Sequence, residues 1–178
     1  MNSIDTITLD VTDVAAARTF YEQAFGPSFD TGAVLELHAV DAAPTGFQGF
    51  TVSLVMAQPS DVNAVFEAAL AAGATAIKPV TKSFWGYGGT LLAPDGAIWK
   101  IACSAKKDSA PVARTAQDVV LLLGCEDVAA TKRDYLEKGL TVARSFGKKY
   151  VEFEAGGSPV KVALYGRKAL AKDAGVPA

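Results

Sequence analysis

The chain has 178 residues, half of them hydrophobic and a fifth charged, which is too apolar for a disordered segment and too short for two full-sized domains. One compact unit or two small ones is expected, and a domain of this length buries about 70% of the surface its unfolded chain exposes without needing a disulfide or metal staple. Seventeen Lys and Arg against nineteen Asp and Glu leave a net charge of -2, which gives no basic footprint for nucleic acid or for an anionic membrane surface.

Residues 4–11 alternate Ile7, Leu9 and Val11 with Thr6, Thr8 and Asp10, the period of a strand with one apolar face and one hydroxyl-bearing face. Asp13 then offers an N-cap for a helix with Val14, Ala17, Tyr21 and Ala24 on one face, stopping at Gly26. Residues 34–40 form a second strand that places Glu36 and the chain's single histidine, His38, on the same face. Residues 50–57 repeat the opening strand. Asp61 is the expected cap of the next helix, which runs through Val65, Phe66, Ala69 and Leu70 to Gly73. Strands follow at residues 74–80, 89–93 and 98–103. A polar linker over residues 104–117, containing Pro111, leads to a strand at 119–124 and a third helix from Asp127 through Tyr135 to Gly139. Strands at 141–146, 150–154 and 160–165 complete the order.

The chain therefore reads as three copies of one β-α-β-β-β module, with Asp-to-Gly distances of 13, 12 and 12 residues and the first copy one strand short. The longest apolar runs fall far below the roughly 20 residues that span a bilayer. The N-terminus lacks a basic region followed by an apolar block, and the two cysteines, Cys103 and Cys125, make no secreted framework. A cytoplasmic location is expected.

Three stretches carry a resemblance to a known family. The first is Ile7-Thr8-Leu9-Asp10-Val11-Thr12-Asp13 with Phe20-Tyr21. The second is Phe84-Trp85-Gly86-Tyr87-Gly88-Gly89, followed by Pro94-Asp95-Gly96-Ala97-Ile98-Trp99-Lys100-Ile101. The third runs from Val162-Ala163-Leu164-Tyr165-Gly166-Arg167 through Asp173-Ala174-Gly175-Val176-Pro177. Together they resemble the vicinal oxygen chelate superfamily, the glyoxalase, bleomycin-resistance and extradiol dioxygenase group. The resemblance implies an α+β fold in which repeated βαβββ modules pair into a half-open curved sheet cup, helices outside and ligand inside. Residues 1–103 are expected to form a two-module domain, 104–117 a linker, and 118–178 a third module completing a barrel with a partner module. The odd count of modules points to a homodimer.

Metal-dependent members place two His and one or two Glu on the cup-facing strands. By similarity those positions fall on Thr6, Thr51 and Lys100, with Val120 in the third copy. Hydroxyls are weak neutral donors and an ammonium offers no lone pair, so no metal site and no cofactor are expected. A divalent metal enters only through a displaced set, Asp10, Glu36 and His38, for which a solvated strand face is the plainer reading.

The expected function is metal-independent binding of a small aromatic or amphipathic compound in the cup, as in bleomycin-resistance proteins. Thr6, Thr8, Thr51, Ser53 and Lys100 would line it, with Trp85 and Tyr87 stacking at the mouth. Lys100 is also the candidate catalytic residue, as a base or an anion clamp. Trp99, next to it, reads as core. Two alternatives stand beside this: a lyase, isomerase or dioxygenase of the same superfamily using Lys100 or a displaced metal, and a structural dimerisation module with a filled cup.

Overall fold

The computed structural model describes residues 3–178. The first module contributes β1 (Thr6–Val11), α1 (Val14–Phe25), a 3-10 turn over Gly26–Phe29, and β2 (Val34–Ala39). The second runs through β3 (Phe50–Val55), α2 (Pro59–Ala72), β4 (Thr75–Ser83), β5 (Gly86–Leu92) and β6 (Ile98–Cys103). The third holds β7 (Asp118–Cys125), α3 (Val128–Glu137), β8 (Val142–Phe146), β9 (Tyr150–Phe153) and β10 (Val160–Gly166), and is followed by α4 (Arg167–Ala174).

The Asp caps hold at two helices of three. The Asp13 carboxylate accepts from the Ala16 amide at 2.9 Å, and Asp127 accepts from Ala129 and Ala130 at 2.9 and 3.0 Å, satisfying orphan donors of the first turn. At α2 the cap is Gln58 rather than Asp61. Pro59 takes the first helical position, where its missing N–H costs nothing, and Asp61 lies buried inside the first turn, accepting from Gln58 Nε2 and from the Ala113 amide. Gly73, at φ 116°, ends α2 in the left-handed conformation that a side chain disfavours. The helix α4 was not expected from the sequence. Its buried face is Leu170, Ala171 and Ala174, closed by Gly175 at φ 86°.

The topology corrects the expected module pairing. β3 of the second module pairs antiparallel with β7 of the third, and both modules share one eight-stranded sheet in the order β4-β5-β6-β3-β7-β10-β9-β8. The third module thus finds its partner within the chain, and residues 1–103 do not form the paired unit. The first module stands apart as a two-stranded parallel sheet, β1-β2. In complete modules the closing strand lies parallel to the opening one, β6 beside β3 and β10 beside β7. The parallel β1-β2 pair identifies β2 as a closing strand, so the first copy lacks two middle strands rather than one.

Register fixes which side chains share a face, since directly paired residues project to the same side. One row across the large sheet is Leu91, Trp99, Val52, Leu121 and Val162. It belongs to the apolar side, where Trp99, Val52 and Leu91 are fully buried in a core shared with α1, α2, β1 and β2. Trp99 lies 4.6 Å from the Phe25 ring and 5.5 Å from Tyr21. Its expected role as core holds, and burying an aromatic side chain of this kind contributes about 3 kcal/mol. A smaller cluster of Val128, Val151, Phe153, Val162 and Leu164 fixes α3 against β9 and β10.

Candidate functional site

The neighbouring row, one residue out of phase, is Lys78, Thr90, Lys100, Ser53, Val120 and Lys161. It lies on the opposite, concave face of the sheet and carries an ammonium or hydroxyl group at every position but Val120. α4 rests on this face against β3, β7 and β10. Beside it remains an open cleft of about 490 Å³, whose lining includes Lys78, Trp85, Thr90, Lys100, Cys103 and Asp173.

The cleft is organised by charge at the C-terminal end of α4. Lys100 Nζ donates to Asp173 Oδ2 at 2.7 Å, and Lys78 Nζ donates to the carbonyls of Lys172 and Asp173 at 2.9 and 2.5 Å. Cations belong at this end of a helix, where unpaired carbonyls concentrate negative partial charge. At the other end Arg167 donates to the Phe47 carbonyl at 2.8 Å and lies 5.3 Å from the Phe47 ring. α4 is thereby fastened at both ends across the sheet. The two lysines, with the hydroxyl of Thr90, form a cationic floor suited to holding an anionic group. Burial pushes the Cys103 thiol upward, which leaves it a poor nucleophile at neutral pH.

The expected site residues divide. Thr51 and Ser53 are buried on β3, and Lys100 is half-buried in the cleft. Thr6 and Thr8 are exposed on β1, in the other sheet, and do not line the concavity. Trp85 stands at the turn between β4 and β5, lines the cleft and is 81% exposed, with Phe84 edge-on at 5.0 Å. Tyr87 also belongs to the cleft lining, while its hydroxyl reaches α2 and donates to Asn63 Oδ1 at 2.9 Å. Sequence reading missed Lys78 and Asp173. Strand alternation through β4 could have placed Lys78 on the face of Lys100, whereas no local signal places Asp173 there.

The superfamily's metal does not fit this sheet. Modules two and three align so that the opening-strand positions are Thr51 and Val120 and the closing-strand positions Lys100 and Ala163. A hydroxyl, an isopropyl, an ammonium and a methyl group do not make a divalent-ion site. His38 and Asp10 form an exposed pair at 2.9 Å on the β1-β2 sheet, in register with Glu36 and Thr8. No group of three or more His, Cys, Asp or Glu able to hold a metal occurs among the described residues. Nor is any of their helices long and apolar enough to cross a membrane.

No family model matches the chain, nor does any curated protein. Solved structures do. A glyoxalase/bleomycin resistance protein/dioxygenase family enzyme from Burkholderia phytofirmans PsJN is 23% identical, covers 58% of this chain and all of its own, and superposes with a TM-score of 0.51. A glyoxalase I variant from Zea mays is 14% identical over 92% of this chain and 69% of its own, with a TM-score of 0.65. With its βαβββ modules and its curved, unclosed eight-stranded sheet, the chain has the fold of the vicinal oxygen chelate superfamily, the glyoxalase, bleomycin-resistance and dioxygenase group.

Proposed function

We propose that the protein binds a small aromatic or amphipathic compound, without a metal, in the concave cleft beside α4. The observation that carries this reading is the cleft itself: an exposed indole, Trp85, at one end and two ammonium groups, Lys78 and Lys100, at the other. An apolar ring with a few convergent polar anchors is the usual make-up of a small-molecule site. Thr51 and Ser53 lie on the same strand face, deeper beneath α4.

The competing reading is a lyase, isomerase or dioxygenase in which Lys100 acts as a base. It draws less support, because Lys100 Nζ donates to the Asp173 carboxylate at 2.7 Å, and an ammonium engaged in this way has no lone pair with which to take a proton. A purely structural dimerisation module has no use for a cleft of this size.

Tryptophan fluorescence tests the binding reading. Trp99 is fully buried and Trp85 is exposed, so a titration with aromatic carboxylates and amphipathic compounds reports through Trp85. A saturable change that disappears in Trp85→Phe and weakens at least about tenfold in Lys100→Met supports the cleft. Absence of any saturable response across the panel overturns it. Elemental analysis of protein purified without chelator separates the enzyme reading: stoichiometric Zn, Ni, Mn or Fe would favour it over metal-free binding.

A further inference from the structure

We propose that the last turn of α4 is a built-in competitor for the cleft: the Asp173 carboxylate occupies the seat of a ligand's own carboxylate, and an aromatic carboxylate binds by taking Lys100 and Lys78 from it. The inference rests on the cleft reading above, and adds the class of the ligand and the part of the chain that gives way to admit it. Asp173 belongs to the cleft lining together with Lys78, Thr90 and Lys100. Strand register sets Thr90, which is 3% exposed, directly between the two lysines. What the chain itself places on this floor is oxygen. Lys100 Nζ donates to Asp173 Oδ2 at 2.7 Å, and Lys78 Nζ to the carbonyls of Lys172 and Asp173 at 2.9 and 2.5 Å.

The two ends of α4 are held in different ways. At its start Arg167 sits in a place shaped for it: the guanidinium donates to the Phe47 carbonyl, lies over the Phe47 ring, and fills the space that a side chain at Gly49 would take. Arg167 and Phe47 lie outside the cleft lining. The other end is held by charge. The side chains of Lys100 and Asp173 are 36% and 41% exposed, and an ion pair so open to water contributes little to holding its partners together. With eight residues and no side-chain cap, α4 is too short to persist as a helix without the surface it packs on. Of its buried side chains, Leu170 is the large one, and it lies about one turn before Asp173. The last turn can therefore leave the sheet at the expense of two alanines, Ala171 and Ala174, while Arg167 and Leu170 tether the rest.

Charge decides between sharing the seat and exchanging it. A second carboxylate beside Asp173 meets the repulsion of the first, added to that of the negative partial charge at the helix end. With Asp173 withdrawn, the same two ammonium groups face one carboxylate again. The exchange replaces like with like, so neither lysine is left without a counter-charge, and the displaced carboxylate passes into water that solvates it. An uncharged ring compound has no such claim on the lysines and leaves α4 where it is. Because the ligand's carboxylate and the last turn of α4 exclude one another, each weakens the other's hold by the same factor.

Calorimetric titration of the full chain with 2-naphthoate and with its uncharged counterpart, 2-naphthamide, tests the competition at fixed ionic strength. Asp173→Asn removes the competing charge and should tighten 2-naphthoate binding at least about threefold, while changing any 2-naphthamide binding by less than about twofold. In the wild-type chain, saturating 2-naphthoate should speed amide exchange in residues 170–174 at least about threefold. Neither 2-naphthamide nor sodium chloride at the same ionic strength should do so. Exchange that bound 2-naphthoate leaves unchanged or slows, or an affinity that does not rise in Asp173→Asn, overturns the competition and leaves the cleft reading standing. Absence of saturable 2-naphthoate binding in both chains overturns the proposal as well, and if 2-naphthamide also fails to bind, the cleft reading falls with it.

Discussion

Replacing Gln58 by methionine tests how the chain brings its second and third modules together. Gln58 is 1% exposed. Its Nε2 donates to Asp61 Oδ1 and to the carbonyls of Ala110 and Pro111, while its Oε1 accepts from the amides of Ser109 and Ala110, five bonds between 2.8 and 3.3 Å. These bonds pin the linker to the start of α2 and so aim the chain into β7. Methionine keeps the volume and opens no cavity, which leaves the hydrogen bonds as the whole effect. At about 1 kcal/mol net each the five amount to about 5 kcal/mol. Ser109 and Ala110 are exposed, so water can satisfy them once the side-chain amide is gone, and a loss of about 3 kcal/mol is expected. For a chain of this size that is a fall in Tm of about 6–12 °C, with a matching shift in the urea midpoint at constant slope. A loss below about 1 kcal/mol would refute the view that this side chain holds the linker.

Three further outcomes follow from particular contacts. Tyr21 donates to Asp95 Oδ2 at 2.6 Å, and burial first, then the Asp95 charge, raise its ionisation above the ordinary 10.0. The folded state therefore holds this proton more tightly than the unfolded one, so the contribution is complete below pH 10 and is lost as pH rises beyond it. Urea unfolding at pH 8 and 11 should show a smaller alkaline loss in Tyr21→Phe than in the wild type. Gly86→Ala should cost about 2 kcal/mol or more in urea unfolding, since Gly86 sits at φ 146° and a Cβ there would run into the Cys103 carbonyl. Asp173→Asn should change global stability by less than about 1 kcal/mol, the ion pair being partly solvated. It should nonetheless speed amide exchange in residues 167–174 by loosening the end of α4.

Much of the fold was legible because it is written in local patterns. Alternation in Thr6–Val11 and Ile98–Cys103, the caps at Asp13 and Asp127, and the stop at Gly73 each act within a few residues of themselves. They mark three modules whatever surrounds them. α4 escaped notice because it is eight residues long, lacks a side-chain cap, and buries only Leu170, Ala171 and Ala174 against a sheet assembled from distant strands. Within the candidate site, Lys100 and Trp85 were visible as unusual residues at positions of the family pattern. Lys78 and Asp173 were not, because one joins the cleft through register with Thr90 and the other arrives on a helix at the far end of the chain.

The sequence by itself determined the modules, two of their three caps, and the absence of metal-ligand side chains at the positions the superfamily uses, since residue identity and short-range periodicity are sufficient for these. Which opening strands pair was decided by the tertiary structure. β1, β3 and β7 all present backbone edges of the same chemistry, and the choice between them depends on linker length and packing rather than on any local signal. The fate of the hydroxyl faces follows from that choice. Thr51 and Ser53 on β3 lie buried beneath a helix on the concave face, while Thr6 and Thr8, at the equivalent positions of β1, face water.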